Sequence, residues 1–138
     1  MGAGTAGFHT APTSQRAVAA YRPAFARYLA AHRAQGVEPV FPTLEEFVER
    51  SSALIGSPQQ VIEKVHRYHE DFGHTVLHLQ AEPGGLTDAE HRASLELFQA
   101  RVAPVLRHSI PDPAFPDTAS PDTSAALPAS PVPASPDL

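Results

Sequence analysis

Eight of the 138 residues are histidine, and two pairs of them sit at spacings that bring side chains together. His66 and His69, at i and i+3 of a helical run, could share a metal ion. No acid stands between them as a base and spacing sets no third ligand, so two surface or boundary histidines is the plainer reading. His74 and His78 lie four apart around a strand and should share a face of it, packed or solvent-facing rather than ligating. Gln80 and Glu82 close that strand and lead into Pro83-Gly84-Gly85. There a ligand could be hydrogen-bonded by either polar side chain, or the glycines serve a tight turn and Glu82 is solvated. Gly56-Ser57-Pro58 opens a helix, where free N–H groups and the helix dipole could hold an anion. Pro58 removes one of those donors, and helix capping alone explains the three residues. No nucleophile–base pair, paired acid and base or Gly-rich phosphate fingerprint is visible. No catalytic residue is assigned.

The elements that must position these groups run from 53 to 107. Residues 53–55 are a short apolar strand. Ser57 is an N-cap, Pro58 suits the first helical position and Gln60 stands where a capping box needs it. Val61, Ile62, Val65, Tyr68 and Phe72 follow at helical spacing, and Gly73 is a natural C′ residue. Residues 75–79 form the next strand. Thr87 and Glu90 make a second capping box, and His91, Leu95, Phe98, Val102, Val105 and Leu106 define one face of the helix that follows. This β-α-β-α order is that of a parallel sheet. Upstream, Thr13 or Ser14 caps a helix whose buried face holds Val18, Tyr21, Phe25, Tyr28, Leu29 and His32. Pro23 inside it predicts a kink or two abutting helices. The helix should stop near Gln35-Gly36, and a short acidic helix, capped by Thr43, should cover about 44–51. Residues 1–12 are Gly-rich and expected to be irregular, with Gly7-Phe8-His9 the end of a strand and His9 at its tip.

The segment from Gly56 to Arg107 resembles the C-terminal end of the luciferase-like flavin-dependent monooxygenases. The matching residues are Gly56, Ser57, Pro58, Ile62, Gly73, Gly85, Ser94, Leu97, Phe98, Val102, Pro104, Leu106 and Arg107. The ordered set is more specific than any one piece. The resemblance implies an α/β fold, the C-terminal βαβα portion of a (β/α)₈ TIM barrel with preceding helices over 13–108. It implies reduced FMN, or a related deazaflavin, acting with oxygen on a small organic substrate. In that picture Gly56, Ser57, Gln80, Glu82, Gly84 and Gly85 are the candidate cofactor-binding residues. Pro104 belongs to the pattern, so the last helix should kink there and continue to about His108.

Length sets a counterweight. A closed barrel takes at least about 200 residues, so a chain of 138 is expected to hold roughly the last quarter to third of one, truncated and inactive alone. The other reading is a non-catalytic α/β remnant or interaction module, associating with itself or a partner barrel through exposed strand edges. The formal charge of −5 shows no basic face for nucleic acid, and there is no cysteine. No apolar run is long enough to span a membrane and the N-terminal residues lack a basic-then-apolar signal pattern; a cytoplasmic protein is expected. Residues 109–138 hold eight of the 15 prolines with near-repeats of Pro, Ser and Asp, the composition of a disordered tail.

Overall fold

The computed structural model describes residues 1–81 and 84–111. Glu82, Pro83 and the tail from Asp112 onward lie outside the described residues. The fold is mixed α/β. Four short strands, β1 (Gly2–Gly4), β2 (Phe8–Thr10), β3 (Leu54–Gly56) and β4 (Val76–His78), make two small parallel sheets. β1 pairs with β4, Gly2 opposite Val76, and β2 pairs with β3, Phe8 opposite Leu54. The first dozen residues, expected to be irregular, therefore supply a strand partner to each of the two expected strands. The pair expected to neighbour each other, β3 and β4, do not pair. The reason is the Gly2-Ala3-Gly4 run: without bulky side chains it admits β4 closely, and the Thr75 N–H donates to the Met1 carbonyl at 3.1 Å.

The helices follow their local signals closely. α1 (Ser14–Ala34) is capped by Thr13 and ends at Gln35, with Gly36 at φ 71°. Pro23 does not divide it into two helices. α2 (Leu44–Arg50) is capped by Thr43 and buries Leu44 and Phe47. α3 (Pro58–Phe72) starts on the Ser57 cap and stops at Gly73 in the left-handed conformation. Its expected capping box is half made: Ser57 Oγ accepts from the Gln60 N–H, but the Gln60 side chain accepts from Ser14 Oγ instead. That bond ties the starts of α1 and α3 together. α4 (Asp88–Leu97) has the complete Thr87–Glu90 box.

A π turn, Phe98–Val102, separates α4 from α5 (Ala103–Ser109). Pro104 has no N–H to give, and the chain adjusts one turn early, with the Ala103 N–H bonded to the Phe98 carbonyl. The wider turn breaks the 3.6-residue period. Leu95 and Val105, expected on the buried face, are 40% and 43% exposed, while Ser94 and Val102 are buried. Ser94 takes the place of an apolar contact by bonding β2: its Oγ accepts from the Thr10 N–H at 2.8 Å, and its carbonyl accepts from the Thr10 hydroxyl.

β3 is covered on both faces, as parallel strands are. Leu54 packs with Phe8, Val61, Ile62, Val65 and Val102. Ile55 and Ala53 pack with Phe25, Leu44 and Phe47. Phe72, expected inward, is the last residue of α3 before Gly73 stops it and is 63% exposed.

Gly85 has φ 100°, and a Cβ there would stand 2.7 Å from Ala24 N and 2.9 Å from Ala24 Cα. Gly36 also has positive φ, but a Cβ would meet nothing within 4 Å. In urea unfolding, Gly85→Ala should cost about 2–4 kcal/mol from backbone conformation plus overpacking, and Gly36→Ala only about 1 kcal/mol. Equal costs would mean that the loop does not rest on α1.

Candidate functional site

The carboxyl ends of β1 and β4 open onto a cavity of about 330 Å³. Ala6 and Gly7 form its floor at the turn between β1 and β2, Gln80 and Gly84 approach from the β4 side, and α1 supplies the wall. Along α1 the wall is Tyr21, Phe25, Tyr28 and His32, with Arg27 beside them. Phe47 of α2 backs these rings, 5.3 Å from Phe25 and 5.7 Å from Tyr28 between centroids. The His32 ring lies tilted by 49° against Tyr28 with centroids 4.1 Å apart, and its Nδ1 lies 2.9 Å from the Tyr28 carbonyl. The Gln80 N–H donates to Thr5 Oγ1 at 2.9 Å, which fixes where the chain leaves β4. A Cβ at Gly7 would come within 2.5 Å of the Tyr21 hydroxyl oxygen, so any larger residue there would displace that ring.

The residues singled out in the sequence thus separate. Gln80 and Gly84 line the cavity; Gly85 packs on Ala24, which lines it too. Glu82 lies outside the described residues. Gly56 and Ser57 are not in the wall: the Gly56 carbonyl accepts from the Ala11 N–H, and Ser57 caps α3. His9 is not in the wall either. It is buried on β2, where burial lowers its pKa, Glu90 opposes that shift and His91 adds to it slightly. The aromatic wall was read from sequence only as a core face. Its signal, aromatic residues at 21, 25, 28 and 32, is the same for a core as for a cavity wall. Arg27 gave no signal.

The other histidines hold local structure. His66 Nε2 lies 2.6 Å from Ser109 Oγ, and His69 Nδ1 lies 2.7 Å from the His74 carbonyl. No cluster that could hold a metal occurs among the described residues. His74 and His78 do not share a face: His74 is buried and His78 exposed. His74 precedes β4, so the two-residue alternation does not reach it.

One buried cation was not foreseen. Lys64, on the inner side of α3, donates to the Val48 and Ala53 carbonyls at 2.6 and 2.7 Å. It thereby satisfies a carbonyl in the last turn of α2. Burial, with nearby Arg67 as a smaller cause, lowers its pKa from 10.5 to about 8. The unfolded chain then holds this proton up to about pH 10.5 and the folded chain only to about 8. Between those values the unfolded state binds more protons, so stability rises with pH. The gain should be on the order of 2–3 kcal/mol, read from urea unfolding at pH 7.5 to 10.5. Lys64→Met should flatten that rise. A slope unchanged by the substitution would assign the pH dependence elsewhere.

A parallel sheet flanked by helices, with a cavity at its carboxyl edge, is a general layout of α/β ligand-binding proteins. No family model and no curated protein matches the chain. Among solved structures, it is similar to a type II Baeyer-Villiger monooxygenase, the oxygenating constituent of 3,6-diketocamphane monooxygenase from Pseudomonas putida, in complex with FMN. The two share 27% identity with a TM-score of 0.54. The likeness covers 75% of this chain and 32% of that one. No helix among the described residues is long and apolar enough to cross a membrane.

Proposed function

We propose that this chain is the C-terminal part of a luciferase-like flavin-dependent monooxygenase barrel, and that its aromatic cavity seats the ring of FMN. The carrying observation is the coincidence of two facts. The structure resembles an FMN-bound monooxygenase over three quarters of its length, and the cavity at the carboxyl ends of its strands holds Gln80 and Gly84. The residues present suit a flat heteroaromatic ring. Tyr21, Phe25 and Tyr28 offer faces and edges to it, Gln80 can donate to or accept from its polar rim, and Gly7 and Gly84 leave room. At about 330 Å³ the space is at the low end for ligand pockets, enough for the ring rather than the whole nucleotide. Arg27, exposed at the rim, is the lining cation that would meet the phosphate arm. Gly85 would hold the loop against α1, and Gly56 and Ser57 would support the start of α3 rather than touch the cofactor.

Reduced FMN, when bound, supplies the electrons that let oxygen be inserted into an organic substrate. The chain's part is to orient the ring against α1 and to keep water from it with the aromatic wall. A protein of the cytoplasm, with the rest of a barrel supplied by further sequence or another chain, is part of this proposal.

A second reading is favoured by a separate observation. β3 and β4 each pair along one edge only among the described residues, and Val76 and Phe72 beside them are 60% and 63% exposed. An interaction module that pairs with itself or with a partner barrel would use these edges.

Titration of the purified chain with oxidised and with reduced FMN, followed by flavin fluorescence and absorbance, separates the two. The flavin proposal expects saturable binding at about micromolar concentration, weakened about 5–10-fold in Gln80→Ala through loss of one hydrogen bond. No saturation by roughly 1 mM, with light scattering showing a dimer or larger species, would favour the interaction module.

A further inference from the structure

A groove of about 320 Å³ lies between β4, α3 and the last helices. It shares no lining residue with the aromatic cavity, so it stands or falls apart from the flavin proposal. Leu77 and Leu79 come to it from the β4 side, Val65 from α3, and Phe98, Leu106 and Ile110 from the last helices and their end. Val65 is buried, but the others are only half-buried, although they pack against the core around Phe8, Leu54 and Val102. Apolar side chains left half open along one groove favour a cover that takes them out of water.

The path of the chain says what that cover is. Ile110, next to the last described residue, itself lines the groove. Its N–H is bonded to the Leu106 carbonyl, and Ser109 Oγ lies 2.6 Å from His66 Nε2, so the point of departure is held against α3. In the sequence that follows, the first large apolar residue is Phe115, which is also the only aromatic residue after Phe98. It stands five positions past Ile110, a reach of at most about 18 Å. So short a tether makes its arrival at the groove an intramolecular event of high effective concentration. Ile110, Asp112 and Phe115 each precede a proline, which disfavours the helical region for them. A stretch so restricted has less freedom to lose on docking. Charge agrees: Arg107 stands exposed in the lining with no acid beside it among the described lining residues, and Asp112 and Asp117 flank Phe115.

We propose that the groove is the docking site of this chain's own segment 112–117, with the Phe115 ring seated among Leu77, Leu79, Phe98 and Leu106. An apolar cavity of about 150 Å³ already holds a benzene ring, so the ring fits with room for the neighbouring prolines. The segment is then a latch that closes the apolar face between β4 and α5.

The chain has no tryptophan, so Phe115→Trp in the full chain reports on this position alone. Its emission should lie to the blue of the urea-unfolded chain, and acrylamide should quench it several-fold less. Leu127→Trp, further along, should emit and quench as the unfolded chain does. Because an indole is larger than the native ring, the deciding measurement is made without substitution. In the carbon-13-labelled wild-type chain, the Phe115 ring protons should give NOEs to the methyl groups of Leu77, Leu79 and Leu106. Absence of those NOEs overturns the proposal. Equal shielding at positions 115 and 127 does so too, because it would mean general collapse rather than a site. NOEs that arise only between differently labelled copies, with light scattering showing a dimer, would give the groove to a second copy and overturn the latch.

Discussion

Everything in the fold hangs on the extended N-terminal stretch, which is shared by two strands that do not touch each other. β4 registers on Gly2–Gly4 and β3 on Phe8–Thr10. The pairing closes at both ends through backbone bonds, Thr5 to His78 and Ala11 to Gly56. Parallel pairs need long crossover connections, and loop closure must come before the hydrogen bonds repay it. The crossovers here are helices whose ends are set locally by Thr13, Thr43 and Ser57. Local capping thus lowers the number of ways in which the distant strands can meet. The Thr10–Ser94 bonds then bring α4 onto β2, so the last helices are also tied to the N-terminal stretch.

The aromatic cavity is a consequence of the same stretch. Ala6 and Gly7 floor it. Small side chains make a strand that pairs well but fills little volume. The helices over it carry large rings, Tyr21, Phe25 and Tyr28 on α1 and Phe47 on α2. Large walls over a floor of small residues leave space between them, and Gln80, which lines that space, gives it chemical character.

Local chemistry was legible in the sequence and pairing was not. Ser57, Thr87 with Glu90, Gly73 and Gly36 mark helix ends because a cap involves residues only a few positions apart. The partner of β4 could not be read, since Gly2-Ala3-Gly4 has neither β-branched residues nor alternation and carries no strand signal. The face of the last helix was misjudged at Leu95 and Val105 because one π turn shifts the phase, and only the placement of Pro104 hinted at it. Gln80 and Gly84 were singled out from their position at a strand end and in the loop after it. The wall opposite them was not, because aromatic residues at helical spacing say only that the face is covered. Lys64 escaped notice since its role depends on two carbonyls from another part of the chain.

Amide hydrogen exchange on the full chain, resolved residue by residue by NMR, tests the shared-strand arrangement most directly. The Thr5 and Thr75 amides, which bond between β1 and β4, should be protected together with Leu54 and Ala11, which bond between β2 and β3. Protection at Leu54 and Ala11 with Thr5 and Thr75 exchanging as in an unfolded chain would contradict it. β4 would then be detached from the N-terminal stretch, and the cavity at Ala6, Gly7 and Gln80 would lose the strand that carries Gln80 to it.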